Sequence, residues 1–511
     1  MPEQEDVVIV LDCGATNIKT IAVGSEGRIV AQASRPNSPQ PQKDESIGWL
    51  VWDLEEIWLK ICEGAREVSK EVRPRSIRAV TVTTWGADGA PIRRNGTLTY
   101  PPISWQCPRT KATVKNVLAE TPAFRIFQVT GYQPISFNTL FRLIWLREHA
   151  PKALSDAYTW LMMPGLIVHK MTGQFHIEPT SASTMMAMDL KKRDWSTAML
   201  ELAGLDPSFF PDWREPGEIV GYVTEKVSAQ SGIPAGVPVI AGGHDTQFAL
   251  YGSGAGMDEA VVSSGTWEIL GIRSERFIPS KMAFENGLII EADVQRGLWN
   301  PQLLMMGSGV LEWVLDKFFP RMGDEKYAIM TKEAETVPAG SDGVTFIPSF
   351  VKESGPTRKY GAMGTILGLS LMTSRGHVTR SALEGLSFQL KQALLVLKEA
   401  ASIDIKRIRV VGGGAKNILW NQIRADVLDL PVMITEQKEY TTLGAALTAF
   451  AGIGRYKSLK EALKAVNLEP RVFEPGGDRS IYEAGFDRYI ASLKSLRKYY
   501  LHQDASMPKG D

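Results

Sequence analysis

The chain has 511 residues, 44% apolar and 22% charged, and its 57 Lys plus Arg balance 57 Asp plus Glu. That length exceeds a single core and predicts two domains, while zero net charge gives no basis for a nucleic-acid partner or an electrostatically held membrane surface. Cys13, Cys62 and Cys107 are too few and too scattered for a disulfide framework or a C-x-x-C zinc site and fit a reducing compartment.

In chain order, the acidic start at residues 1–6 leads straight into an apolar run and is not read as a signal peptide. No run of about 18 apolar residues offers a bilayer span, so a cytoplasmic location is expected. Residues 7–11 read as a buried strand, 18–23 and 28–33 as its antiparallel continuation, and 12–17 as a small polar turn led by Asp12. Residues 52–69 have helical periodicity. The strand predicted at 76–84 ends in Trp85-Gly86-Ala87-Asp88-Gly89, a polar turn at the strand end where open α/β sheets bind ligands. Residues 103–109 form an aromatic and polar loop, 140–148 a helix with Leu140, Leu143, Ile144 and Trp145 inward, and 158–172 another largely apolar helix. His149, His169 and His176 show no metal-ligand spacing and read as structural.

Near the middle, Val239-Ile240-Ala241-Gly242-Gly243-His244-Asp245-Thr246 runs from a buried strand through two glycines into a helix. Asp245 at that junction either caps the helix or serves as a general base toward a substrate hydroxyl. The opening pattern then returns: strand 260–262, polar turn 263–266, strand 267–272, and later strand 405–411 running into Gly412-Gly413-Gly414-Ala415-Lys416-Asn417. Laying Gly265 on Gly14 gives strand, turn, strand in both places, and residues 405–417 resemble 78–88 in layout with Gly414 falling on Gly86, which predicts two copies of one α/β unit. Backbone N–H groups in such small-residue turns can hold phosphate oxygens. Neither a G-x-G-x-x-G dinucleotide turn nor a Walker A motif is present. Residues 459–466 and 481–501 read as helical, and the basic, aromatic stretch 494–502 as a solvated face, with an oligomer contact as the alternative.

These residues carry a resemblance. Asp12-Cys13-Gly14-Ala15-Thr16-Asn17-Ile18-Lys19 is similar to the first phosphate motif of the FGGY carbohydrate kinases, of the actin, sugar kinase and Hsp70 ATPase superfamily. Gly364-Thr365-Ile366-Leu367-Gly368-Leu369 and His377-Val378-Thr379-Arg380-Ser381-Ala382-Leu383-Glu384 resemble its C-terminal signature. Residues 84–89, 103–110, 137–140, 243–250 and 263–270 resemble most the members that phosphorylate L-fuculose; those acting on L-rhamnulose share several of these blocks.

The resemblance implies a two-lobed, duplicated actin-like (ribonuclease H-like) α/β ATPase fold with a central cleft. Residues 1–247 would form the N-terminal lobe, binding sugar and phosphate, and 248–455 the nucleotide-binding C-terminal lobe, with 456–511 a helical extension. It implies ATP and Mg²⁺, with Asp245 as base toward the sugar C1 hydroxyl and Asp12, with Asp245, as the metal carboxylates. Gly14, Ala15, Thr16, Asn17 and Lys19 would grip the phosphates from one lobe, and Ser264, Gly265 and Thr266 from the other. The family often has Thr at the position of Ala15, so a hydroxyl contact is missing there. Gly309, Gly413, Gly414 and Asn417 would line the nucleotide, and Gly86, Asp88, Asn138, His244, Asp245 and Thr246 the sugar. A kinase for L-rhamnulose, L-xylulose or D-ribulose, or a non-catalytic nucleotide-binding sugar sensor, are the alternatives.

Overall fold

The computed structural model describes residues 5–43, 48–320, 323 and 325–506. The chain divides into two compact units: Met1–Gly254 with Ile290–Asn300 and Glu439–Asn467, and Ala255–Ile289 with Pro301–Lys438 and Leu468–Asp511.

The first unit is built on a mixed six-stranded sheet. From one edge its strands are Ile29–Pro36, Asn17–Gly24, Val7–Cys13, Ile77–Thr84, Pro238–His244 and Ile219–Tyr222. Successive pairings are antiparallel, antiparallel, parallel, parallel and antiparallel. Val7–Cys13 is apolar and buried along nearly its whole length because helices cover both faces of a sheet with parallel central strands. One covering helix, Leu54–Glu71, starts where the Asp53 side chain accepts from the backbone N–H of Glu55 and Glu56. It buries Ile57, Trp58, Ile61, Ala65 and Val68 with the central strands in one core.

Six strands of the second unit's sheet repeat that plan: Trp299–Met306, Trp267–Ile272, Glu259–Ser264, Arg407–Val411, Val432–Ile434 and Arg471–Phe473. Their pairings follow the same sequence of senses. Register confirms the sequence alignment residue by residue. Asp12 pairs with Thr83 and Ser263 with Val411. Gly14 and Gly265 each stand two residues after the first member of those pairs, and Gly86 and Gly414 three after the second.

Two expectations differ from the structure. Residues 158–172 are not one helix: Thr159–Met162 is a strand antiparallel to Gly89–Ile92, and the helix Met163–Thr172 follows. Residues 159–168 are all buried, and such a run carries no periodicity to separate the two states, while Pro164 fits only a helix's first turn. The strand expected at 260–262 extends to Ser264, which leaves a turn of two residues.

The helix Tyr440–Gly452 returns to the first unit because it is apolar and buried along most of its length. It packs against Asp245–Gly252 through two glycines. A Cβ on Gly444 would collide with the carbonyl oxygen of Phe248, and one on Gly252 with that of Tyr440. Gly444→Ala should therefore destabilise the protein by about 2 kcal/mol through overpacking, read as a lowered Tm. Gly477→Ala, in open space, should change Tm little; equal effects would contradict the close approach.

Candidate active site

In the first unit the neighbouring strands Val7–Cys13, Ile77–Thr84 and Pro238–His244 run parallel, so their C-terminal ends bring Asp12, Thr83 and Asp245 to one edge of the sheet. Thr83 Oγ1 donates to Asp12 Oδ1 at 2.8 Å. Burial, with the charge of Asp245 adding, raises the Asp12 carboxyl to about 7 against the opposing pull of Thr83 and Lys19. The turn that follows is closed by Gly14 N–H donating to the Asn17 carbonyl at 2.8 Å. Ala15 packs on the core, while Thr16 and Asn17 are exposed. Lys19 Nζ donates to both carboxylate oxygens of Glu439 at 2.8 Å.

Asp245 opens the helix Asp245–Gly252, and the residue before it, His244, makes no side-chain cap. Asp245 Oδ1 accepts the Thr246 N–H at 2.6 Å and the Thr246 hydroxyl at 3.2 Å. Burial raises its carboxyl, opposed by His244 and by those two bonds. His244 lies with Nε2 3.5 Å from Asp245 Oδ1 and Nδ1 3.0 Å from Glu291 Oε2. Burial alone would lower the imidazole; Glu291, then Asp245 and Glu178, raise it to about 9. Backbone as well as ring is held, since His244 N–H donates to Thr180 Oγ1, itself bonded to buried Glu178. Gly243, at φ +152, is needed here because a Cβ would collide with Thr180 Oγ1.

The loop after Thr84 is strained and pinned. Ala87 has φ +68; its N–H donates to Thr184 Oγ1, and its carbonyl accepts from Thr139 Oγ1 and Arg142 Nη1. Such strain persists only where surrounding bonds enforce it. Asp88 differs from expectation. It is fully buried: Oδ1 pairs with Arg142 Nη1 at 2.6 Å, and Oδ2 accepts from Trp52 Nε1, Trp85 Nε1 and Trp105 N–H. With both oxygens taken, Asp88 anchors the loop from behind. Asn138 is likewise buried, donating to the Thr184 carbonyl and accepting the Ile135 N–H, and it makes no side-chain cap. Gly86 faces Thr184 and His244, where a Cβ would stand 3.0 Å from His244 Nε2.

In the second unit, Gly265 and Thr266 form the tip between Glu259–Ser264 and Trp267–Ile272, and Thr266 is exposed. Ser264 is not: its hydroxyl donates to Glu268 Oε1 at 2.7 Å and accepts from Arg424 Nη2 at 2.9 Å, in a buried cluster with the Arg424–Glu268 ion pair. Gly309 N–H donates to the Thr266 carbonyl at 3.2 Å, which sets the start of the helix Ser308–Phe318 against the tip. Gly412 and Gly413 are exposed, with open space beside Gly413, whereas a Cβ on Gly414 would collide with Ser264 Oγ. Asn417 caps Ile418–Leu428, accepting the Trp420 N–H at 2.9 Å.

Asp12 is suited to a divalent cation, since burial and a second carboxylate oppose its charge and a cation would offset both. Among the described residues no group of three or more His, Cys, Asp or Glu could hold a metal, so a cation here would depend on phosphate oxygens and water, as Mg²⁺ commonly does.

The repeated α/β unit, with small-residue turns at matching strand ends and a carboxylate pair in one copy, is the duplicated actin-like plan that the sequence resemblance implies. Residues 7–252 match the FGGY family of carbohydrate kinases, N-terminal domain, and residues 260–453 match its C-terminal domain. The chain belongs to that family, and is thus an ATP-dependent phosphotransferase acting on a sugar. It is 39% identical over 472 residues to the L-fuculokinase of Escherichia coli strain K12, covering 92% of this chain and 98% of that protein. The L-fuculokinase of Salmonella typhi is 38% identical over 480 residues, covering 94% and 99%. The xylulose kinase of Rhodospirillum rubrum shares the fold, with TM-score 0.88 at 23% identity over 97% of this chain and 99% of that one.

Sequence reading missed Thr83, Arg142, Glu291 and Glu439. Only Thr83 had a local signal, as the strand residue paired with Asp12. Asp88→Ala, by leaving Arg142 uncompensated, should cost about 3–5 kcal/mol of stability without any ligand. Unchanged melting with a raised sugar KM would instead make Asp88 a sugar contact. The Asp12 carboxyl is raised in the fold well above the ordinary aspartate range. Its contribution to stability is therefore present below about 4 and lost as pH rises through about 7. Without divalent cation, Asp12→Asn should melt above the native protein at pH 8, with the gap narrower at pH 5; an equal gap at both would contradict the assignment.

Proposed function

We propose that the chain transfers the γ-phosphoryl group of ATP to the C1 hydroxyl of L-fuculose, giving L-fuculose 1-phosphate and ADP. The supporting observation is the placement of Asp245. It stands at a strand end, its side chain 30% exposed and Oδ2 without a hydrogen-bond partner among the described residues, beside the second carboxylate. The acceptor is inferred from relatives at 38–39% identity that are L-fuculokinases over nearly their full length.

In this reading Asp245 accepts the C1 hydroxyl proton as that oxygen attacks the γ-phosphorus, and the bond to the ADP oxygen breaks. Little covalent chemistry is required of the protein, so positioning and charge neutralisation dominate. Asp12, with Asp245 nearby, would hold Mg²⁺ through water, and the ion would neutralise phosphate charge. Gly14 to Asn17 in the lobe 1–247, and Gly265 and Thr266 in the lobe 248–455, would receive phosphate oxygens. Ser264 would serve by holding Glu268 and Arg424 behind that tip. Lys19 would reach a phosphate by exchanging it for Glu439. Open space at Gly413 suits the nucleoside, with Gly309, Gly414 and Asn417 shaping its surroundings. Gly86, His244 and Thr246 would border the sugar, with Asp88 and Asn138 holding the wall. The three buried, unpaired cysteines agree with a reducing, cytoplasmic setting.

ADP release measured with ATP and Mg²⁺ across L-fuculose, L-rhamnulose, L-xylulose, D-ribulose, D-xylulose and glycerol should show a clear preference for L-fuculose. Preference for another sugar would overturn the acceptor and leave the phosphotransferase chemistry standing. Sugar-independent ATP hydrolysis with no sugar phosphate would favour a sensor.

A further inference from the structure

One buried carboxylate of the first unit has no part in the chemistry above. Glu291, in the strand Ile289–Ala292, is 1% exposed. His244 Nδ1 lies 3.0 Å from its Oε2, Gln247 Nε2 donates to the same oxygen, and the Tyr132 hydroxyl hydrogen-bonds to the carboxylate as well. A carboxylate withdrawn this far from water is retained only with partners, and two of the three come from the strand-to-helix junction that carries Asp245.

The consequence falls on the imidazole. Its backbone is fixed by the N–H bond to Thr180 Oγ1 at 2.9 Å, and its Nδ1 edge by Glu291. With both anchors set, the opposite edge has one direction left. Nε2 sits 3.5 Å from Asp245 Oδ1, facing Gly86, where a Cβ would lie 3.0 Å away. The ring edge therefore borders the space between the base and the Gly86 loop.

We propose that Glu291 is a positioning residue for the sugar: it fixes the His244 ring so that Nε2 meets the oxygen substituent next to the reacting hydroxyl of the ketose. This rests on the reading of Asp245 as the base beside which that hydroxyl lies. Without Glu291 the ring can rotate about its side-chain torsions, and the sugar must order it on binding, which weakens sugar binding and leaves nucleotide binding alone. Tyr132 and Gln247 would support the carboxylate and not touch the substrate.

A double-mutant cycle reads this coupling. The variants Glu291→Leu, His244→Asn and the pair together are assayed with whichever sugar the native enzyme turns over best. Each single change should raise the sugar KM about tenfold, the size expected for one lost hydrogen bond of this kind, with the ATP KM held within about twofold. The double variant should be no worse than the poorer single one. Multiplied effects in the double variant, or an equal rise in the ATP KM, would overturn the proposal. If Glu291→Leu does not fold, by melting and circular dichroism, Glu291→Gln carries the same cycle. It keeps the volume and one acceptor, so its smaller effect should vanish in the His244→Asn background; persistence there would overturn the proposal. Absence of turnover by the native enzyme with every sugar would sink the underlying kinase reading. Native turnover with a multiplicative pair would sink the role of Glu291 alone.

Discussion

Two carboxylates, Asp12 and Asp245, must keep charge while partly withdrawn from water at one edge of a sheet, and much of the surrounding structure answers to that demand. Burial raises both and the charge of Asp245 adds to the burden on Asp12, as expected where the neutral form is favoured by poor solvation. Each has its own relief. Thr83 and Lys19 act on Asp12, and His244 with the Thr246 N–H and hydroxyl act on Asp245. The supporting groups are then anchored in turn: Lys19 by Glu439, and His244 by Glu291 and by the Glu178–Thr180 pair. A phosphotransferase site needs this tension, because a base must be ionised yet basic enough to take a proton near neutral pH.

Duplication lets one scaffold carry different side chains at equivalent positions. The sheets share strand order, pairing sense and register, so Ser263 occupies the position of Asp12 and Ser264 that of Cys13. The carboxylate of the first copy is thus absent from the second, and the nearest buried acid, Glu268, is neutralised by Arg424. A turn without a fixed negative charge can admit phosphate oxygens, and in the proposed function the turn led by Asp12 does so beside a cation held by that carboxylate. The glycines that recur at 14 and 265, and at 86 and 414, mark places where the repeat tolerates no side chain or leaves room for a ligand.

Much of the fold was legible because the central strands, buried on both faces, read as continuous apolar runs bounded by glycine and polar turns. Residues 7–11 and 260–262 are of this kind, and the Gly265–Gly14 alignment carried the repeat. Where burial is complete but the element is not a strand throughout, as at 159–168, the same signal cannot tell strand from helix. Site positions were legible at strand ends and opaque in their bonding. Nothing local in the sequence shows that Asp88 is consumed by Arg142 and three tryptophans, or that Ser264 belongs to a buried cluster with Glu268 and Arg424. Nor does it show Glu291 beneath His244, since those partners lie 47 residues apart in the chain. Such contacts join side chains on different helices, strands and loops, and no local pattern discloses them.

The proposed mechanism turns on one carboxylate, Asp245, which removes the proton that lets a sugar hydroxyl attack ATP. Its most direct test is Asp245→Asn, an isosteric change, followed by rapid-quench measurement of sugar phosphate formation alongside binding of ATP. The account predicts nearly unchanged ATP affinity with the transfer step slowed by a factor on the order of 10² or more. Transfer at close to the native rate would show that the proton leaves by another route and would remove Asp245 from the centre of the mechanism.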